Sequence, residues 1–324
     1  MARPKVYITR IIPREGIDLL EQHCRVEVNP EDRPVWRREL LSAVHDADGI
    51  LCLLTDRIDA AVFDAAKNAK GFANYAVGYD NIDVAEATKR GIPVSNTPGV
   101  LTDATSELAW ALLFSTARRI VESDRFVRSG KWNGWGPLQY IGGDVTGKTL
   151  GVLGAGKIGT AMALKSKGFD MKVLYTDTRS NEVLEDLLGA RRASFDELVV
   201  ESDFISIHVP LTEDTYHLFD AEVFSKMKPT AYLINTSRGT VVNEKDLVDA
   251  LQARRIAGAA LDVFEFEPDI SQGLAELVNV VITPHIGSAT ISSRTNMAIK
   301  AAQNLLAMIR GELPPDCVNP EVFE

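Results

Sequence analysis

The sequence predicts an α/β protein of two Rossmann-like doubly wound parallel-sheet domains, a nucleotide-binding domain inserted in a substrate domain. Three observations carry this. Short apolar runs alternate with helical patterns along the chain, the order that gives parallel strands covered by helices. A glycine-rich turn with Gly154, Gly156 and Gly159 in G-x-G-x-x-G spacing follows one of those runs and opens a helix. Polar residues gather where the later apolar runs stop, and ligands of such sheets sit at those strand ends.

Taken in order, Lys5 to Thr9 alternates as a strand, Glu15 to Gln22 reads as a helix and Arg25 to Val28 returns to β character. The pattern then repeats, with helices over Trp36 to Val44, Ala60 to Lys67 and Asp83 to Lys89, and strands over Gly49 to Leu54, Phe72 to Ala76 and Ile92 to Val94. These first ~100 residues have the size of a domain. The turn signal NTPG at Asn96 to Gly99 precedes a long helix, Thr102 to Arg119, so a boundary is expected there. The glycine- and aromatic-rich stretch from Gly130 to Gly147 suits no regular element.

Leu150 to Leu153 forms a buried strand, the glycines follow, and a second apolar run from Met171 to Tyr175 leads to Asp177. The three glycines serve in turn a tight bend, close approach of backbone to a pyrophosphate, and close packing of helix on strand. The helix that opens there points unpaired N–H groups at the phosphates. Asp177 lies 177 − 159 = 18 residues after the last glycine, near the spacing expected for a carboxylate on the adenosine ribose. The motif on its own also suits an ordinary glycine-rich turn. Strand, turn, helix, strand and acid in this order favour a dinucleotide site.

Helices over Asn181 to Leu188, Ser194 to Val200 and Glu244 to Ala253 alternate with strands over Phe204 to Val209, Ala231 to Asn235, Ala257 to Val263 and Val280 to Ile282. A last helix from Arg294 to Arg310 is expected to pack back on the first domain. The domains are therefore drawn as 1–100 with 289–324 for substrate, and 101–288 for the nucleotide.

Composition narrows the function. Lys plus Arg number 35 against 45 for Asp plus Glu, a net charge of −10 with no basic stripe, which argues against nucleic acid or an anionic membrane surface as the main partner. The three cysteines, Cys24, Cys52 and Cys317, are far apart and lack metal-ligand spacing, so neither a disulfide framework nor a metal site is expected and a reducing cytoplasm fits. No run approaches the ~20 apolar residues of a membrane span.

Candidate chemistry collects at strand ends: Arg238 in NTSRG, Asp262 and Glu267 in LDVFEFEP, and His285 in TPHIGSA. Singly, each suits a surface cation, a turn acid or a packed histidine. Together, beyond a nucleotide motif, they suit a site that stabilises charge on oxygen and moves a proton.

The motifs YAVGYDNID at Tyr75 to Asp83, GAGKIG at Gly154 to Gly159, HVPLT at His208 to Thr212, NTSRG at Asn235 to Gly239, DVFEFEP at Asp262 to Pro268 and TPHIGSAT at Thr283 to Thr290 occur in one order. In them the chain resembles the D-isomer-specific 2-hydroxyacid dehydrogenase family along nearly its whole length, most closely its glyoxylate and hydroxypyruvate reductase branch. The resemblance implies NADH-dependent reduction of a small 2-keto acid to the D-2-hydroxy acid. Arg238 polarises the carbonyl, His285 is the acid and base, and Glu267 orients it. A carboxylate beside an imidazole favours its charged form. Gly154, Gly156, Lys157, Ile158, Gly159, Asp177, Val209, Pro210, Thr236, Ser237, Asp262 and Gly287 would hold the cofactor, with Asp262 on the nicotinamide carboxamide. Leu54, Val77, Gly78, Arg238, His285 and Trp135 would meet substrate, and Trp135 would do so in the partner subunit of a homodimer. His208 is expected in a structural or backbone role, and His217 at the surface or in packing. Asp177 favours NAD(H) over NADP(H), although Arg179 stands close enough to receive a 2′-phosphate. Other 2-hydroxyacid substrates (D-lactate, a sugar acid, phosphoglycerate) and a non-catalytic NADH-sensing scaffold are the competing readings.

Overall fold

The structure, a computed structural model, describes residues 3–324. In chain order it forms β1 (Lys5–Ile8), α1 (Arg14–Glu21), β2 (Arg25–Val28), α2 (Arg37–Ala43), β3 (Gly49–Cys52), α3 (Ala60–Ala65), β4 (Phe72–Asn74), α4 (Val84–Lys89) and β5 (Val94–Ser95). There follow α5 (Thr102–Ala117), α6 (Ile120–Arg128), β6 (Thr149–Leu153), α7 (Lys157–Lys165), β7 (Lys172–Thr176), α8 (Glu182–Leu188), β8 (Arg191–Arg192), α9 (Phe195–Glu201) and β9 (Phe204–Ile207). The chain closes with α10 (Ala221–Lys226), β10 (Tyr232–Asn235), α11 (Glu244–Gln252), β11 (Gly258–Leu261), β12 (Val280–Ile282) and α12 (Ile291–Ile309). It divides into two compact units. One runs to Leu101 and resumes at Ala289, and the other is the stretch from Thr102 to Ser288 that lies between them in sequence.

The first unit carries a five-stranded sheet in the order β2-β1-β3-β4-β5 with every pairing parallel. All residues of β3 and β4 are buried, as expected of parallel strands covered on both faces. Asp59 and Asp83 start α3 and α4 by accepting backbone N–H groups of Ala61 and Glu86. Helix α12 packs against α1, β3 and β4. The approach is close: a β-carbon at Gly16 would lie 2.7 Å from the backbone of Ala298.

The second unit has seven parallel strands in the order β12-β11-β10-β9-β6-β7-β8. Strand order reverses between β6 and β9, the topological switch point at which doubly wound sheets open a crevice. One core layer joins Leu150, Val152, Tyr175 and Phe204 to Trp110 and Leu113 of α5 and Met162 of α7. The buried Trp110 indole N–H donates to the Met162 carbonyl at 3.0 Å. The opposite layer joins Ile205, Ile207, Leu233 and Leu261 to Phe219, Phe224 and Leu247.

The structure departs from the sequence reading at α5. The helix expected to Arg119 ends at Ala117, Arg119 takes a left-handed φ of 54°, and a separate helix, α6, follows with no buried residue. Both β8 and α10 are further additions, two and six residues long. No helix or strand forms between α6 and β6.

Candidate active site

Strand β6 delivers the glycine turn to the switch point. Gly154 has φ 89°, a left-handed conformation that glycine alone adopts without strain, and its β-carbon would lie 2.8 Å from the backbone of His208 and Val209 at the end of β9. A β-carbon at Gly159 would lie 1.9 Å from the Gly154 carbonyl oxygen, so α7 rests directly on the turn. Gly156 differs: it is exposed, and no atom lies within 4 Å of its would-be β-carbon. It is the N-cap of α7 and no side chain caps that helix, leaving the terminus open to an anion beside exposed Lys157 and half-buried Ile158.

Asp177 follows β7 and serves the turn first. Its Oδ2 accepts the Ala155 N–H at 2.8 Å, and Oδ1 accepts the Arg179 N–H and the Thr178 hydroxyl, each at 3.2 Å. Behind it, Arg192 of β8 donates to the carbonyls of Asp177 (2.8 Å) and Thr178 (2.9 Å). Arg179 is exposed at the same rim. Across the crevice, the Ser237 hydroxyl donates to the Val209 carbonyl at 2.7 Å and ties the ends of β9 and β10 together beside exposed Pro210. The Thr236 hydroxyl oxygen is buried with no partner among the described residues, which is what a polar group of a bound molecule would satisfy. The uncapped helix, the empty space over Gly156 and this orphaned hydroxyl fit a dinucleotide. His208, on the end of β9, pairs its Nε2 with the Ser206 hydroxyl at 2.8 Å, and burial pushes its pKa down to about 4.

The charged residues stand at the ends of β10, β11 and β12. Asn235 sets the first of these ends: its amide donates to the Arg238 carbonyl at 2.9 Å while its oxygen accepts the Ser237 N–H at 3.0 Å. The next residue, Gly239, lies flat under the loop from Phe264 to Pro268, for its β-carbon would come within 1.9 Å of the Phe264 carbonyl carbon. In that loop Glu267 accepts the Phe264 N–H on Oε1 at 3.0 Å and meets His285 Nδ1 with Oε2 at 2.9 Å. Burial opposes the Glu267 charge, yet the hydrogen bond and charge of His285, the Phe264 N–H and the nearby Arg238 guanidinium hold its carboxyl below the ordinary glutamate range. Side chains of His285 and Glu267 are 28% and 31% exposed, so the pair is reachable from solvent.

His285 itself has φ 54°, unusual outside glycine and asparagine, and its N–H donates to the carbonyls of Asp262 (2.9 Å) and Thr283 (3.0 Å). Asp262 maintains this conformation. It is 1% exposed, and its carboxylate accepts from the Thr283 hydroxyl (2.6 Å), the Ile286 N–H (2.8 Å) and the Gly287 N–H (2.7 Å). Burial raises its pKa against the pull of those bonds and of the His285 charge. The carboxylate that sequence placed on the cofactor thus has both oxygens engaged with the segment that carries His285.

Leu54, Val77 and Gly78 belong to the first unit. Side-chain amides clamp their surroundings: Asn96 donates to the Val77 carbonyl at 2.7 Å and Asn74 to the Gly78 carbonyl at 2.9 Å. In a trans peptide this turns the Gly78 N–H away from Asn96. Asn81 completes the clamp, donating to the carbonyls of Leu53 and Asp56 at 3.1 Å. Trp135 is 84% exposed, near in sequence to exposed Trp132, Leu138 and Ile141. Sequence reasoning missed the three asparagines, Arg192, and a second histidine–glutamate pair, His217 Nε2 with Glu265 Oε1 at 2.7 Å. Asn81 and Glu265 sit inside recognisable motifs. His217 gave no signal, since 48 residues separate it from its partner.

Comparison with known proteins places this geometry. The model of the D-isomer specific 2-hydroxyacid dehydrogenase NAD-binding domain matches residues 110–287. The chain is also 50% identical to a glyoxylate reductase of Thermococcus gammatolerans over 99% of its own length and 98% of that protein. The chain belongs to the D-isomer specific 2-hydroxyacid dehydrogenase family. Among solved structures this family member is similar to a Thermus thermophilus protein (42% identity, TM-score 0.90, covering 97% of this chain and 99% of that one). It is also similar to an NADPH-dependent glyoxylate/hydroxypyruvate reductase of Sinorhizobium meliloti in complex with NADP and malonate (30% identity, TM-score 0.88, covering 100% and 99%). The stretch matched by the family model contains the glycine turn, Asp177, Arg238, Asp262, Glu267 and His285 of this dehydrogenase, whereas Leu54, Val77 and Gly78 precede it.

Proposed function

We propose that the protein reduces glyoxylate, and with it hydroxypyruvate, to the 2-hydroxy acid, of D configuration where a stereocentre arises, with NADH as the reductant. The observation that carries the reading is the Glu267–His285 pair at 2.9 Å, in the unit that also holds the dinucleotide turn and with Arg238 close enough to act on Glu267. Glyoxylate reductases at 50% identity support the substrate.

When bound, the nicotinamide supplies the hydride that adds to the carbonyl carbon. Negative charge then grows on the carbonyl oxygen, and the Arg238 guanidinium stabilises it while pairing with the substrate carboxylate. Because Nδ1 of His285 is engaged by Glu267, the proton comes from Nε2, and Glu267 orients the ring that gives it. Asp262 fixes the His285 segment and offers its remaining lone pairs to the carboxamide. Backbone N–H groups at Val77 and Gly78 hold the substrate carboxylate, Leu54 lines the pocket, and residues 1–100 with 289–324 form the substrate domain.

Asp177 supports NADH over NADPH because a carboxylate repels a 2′-phosphate. Arg192 donates to two carbonyls of the same turn, and exposed Arg179 at the same rim would oppose that preference. The protein is read as a cytoplasmic homodimer in which exposed Trp135 reaches the partner's substrate site. Among the described residues no helix is long and apolar enough to cross a membrane.

Rates of NADH and NADPH oxidation over glyoxylate, hydroxypyruvate, pyruvate and longer 2-keto acids test the proposal. The highest kcat/KM is expected for glyoxylate with NADH, and His285→Asn, which tolerates the left-handed backbone, should lower kcat about 100-fold or more. Tight NADH binding with no turnover of any short keto acid would point to the scaffold reading instead.

A further inference from the structure

We propose that His217 and Glu265 are positioning residues for the reaction, a clamp that fixes the Arg238 segment against the Glu267 segment. The inference rests on the acid–base reading of His285 and Glu267 given above.

His217 touches both segments. Its backbone N–H donates to the Thr240 carbonyl at 2.8 Å, two residues beyond Arg238, and its ring Nε2 meets Glu265 Oε1 at 2.7 Å, two residues before Glu267. The ring is fixed in turn, stacked on Tyr216 with centroids 4.1 Å apart and planes 19° from parallel. The backbone at His217 is left-handed, φ 50°. Glu265 is the inner anchor of its loop, its side chain only 8% exposed. Its other oxygen accepts the Glu244 N–H at 3.2 Å, and its own N–H donates to the Glu244 carboxylate at 2.6 Å. Glu244, 1% exposed, also accepts the Ser271 N–H at 3.0 Å and so closes the far side of the loop. His217 is thus the side chain that brings a ring N–H to a region holding two buried carboxylates. Without it the loop under Glu267 would keep its seat on Gly239 but lose its lateral tie to the Arg238 strand end. A displacement of ~1 Å between catalytic groups is enough to lower a rate about 100-fold.

The test compares full-length wild type with His217→Asn, which accepts the left-handed backbone but cannot reach Glu265, and His217→Gln, whose amide can. Glu267→Gln is the control. Glyoxylate reduction is followed from pH 6 to 10 (about the range of a perturbed histidine), with NADH affinity measured by fluorescence quenching. His217→Asn should lower kcat about tenfold and move the alkaline limb of kcat/KM to lower pH, in the direction taken by Glu267→Gln. NADH affinity should stay within about twofold, and His217→Gln should recover most of both losses. A merely structural role would scale the rate at every pH and leave the limb in place, and that result overturns the proposal. If Glu267→Gln leaves the limb unmoved as well, the acid–base reading fails and the inference falls with it. Should His217→Asn not fold, Glu265→Gln in the same assay decides, an unmoved limb again being the refutation.

Discussion

Replacing Gly239 with alanine tests the site at the point where two of its segments touch. The added β-carbon would meet backbone alone: the Phe264 carbonyl carbon at 1.9 Å, its oxygen at 2.1 Å and the Glu265 nitrogen at 2.4 Å. Ordinary contact begins near 3.4 Å, so relief requires a shift of 3.4 − 1.9 = 1.5 Å. No rotamer can supply it, because none of these atoms belongs to a side chain. The loop must lift, and Glu267 lifts with it, away from His285 Nδ1. Overpacking of this kind costs about 1–3 kcal/mol, and for a unit of this size each kcal/mol lowers the unfolding midpoint by about 2–4 °C. Misplacing the acid–base pair by more than ~1 Å should lower kcat by about 100-fold. The assays are thermal unfolding and steady-state glyoxylate reduction, with NADH affinity measured in parallel because the glycine turn is remote from the substitution in sequence. A variant with wild-type kcat and an unchanged midpoint would refute the seating of the loop on Gly239, and with it the geometric basis of the Glu267 assignment.

Gly156→Ala should behave in the opposite way. Its β-carbon enters open space on an extended backbone, so the unfolding midpoint should stay within about 1 °C while NADH affinity falls about tenfold or more, read by fluorescence titration. Unaltered NADH affinity would remove the pyrophosphate from that turn. His208 makes a prediction about acid stability. Its folded pKa of about 4 lies below the ordinary 6.5, so the unfolded chain binds the proton first; the stabilisation is complete above pH 6.5 and is lost as pH falls toward 4. The span of about 2.5 units corresponds to at most about 3 kcal/mol. Urea unfolding at pH 7 and 4.5 should therefore show a smaller loss for His208→Gln than for wild type, and equal losses would mean that the ring is not held neutral.

The fold class was legible because parallel strands covered on both faces are almost wholly apolar. The runs at Gly49 to Cys52, Leu150 to Leu153 and Phe204 to Ile207 could be strands of nothing else once the glycine turn fixed their context. Short elements escaped for the same reason. The two exposed arginines of β8 carry no apolar signal, and α10 is six residues marked only by its Asp220 cap. The break before α6 was invisible because Arg119 takes a left-handed turn normally given to glycine or asparagine. In the candidate site, residue identities at strand ends could be read, but not what each side chain faces. The bonds from Asp262 to the Ile286 and Gly287 N–H groups, which tie it to the loop that carries His285, and the pairing of His217 with a glutamate 48 residues away were not legible. Neither local propensity nor periodicity encodes such distances.

Arg238, Glu267, His285 and the glycine turn all occur between Gly154 and Gly287, within one compact unit and on neighbouring strand ends of one sheet. Their mutual spacing is therefore set by a single body of backbone, in which Asn235 holds the Arg238 carbonyl and Glu267 meets both the Phe264 N–H and His285. This separates two design variables. On the proposed assignment, the glycine turn with Arg238, Glu267 and His285 can be kept as a cassette while the asparagine-clamped loop around Val77 and the neighbourhood of Leu54 are altered to accept bulkier acids. Under that assignment, re-engineering of chain-length preference should begin there, where changes leave the Glu267–His285 pair within its own unit.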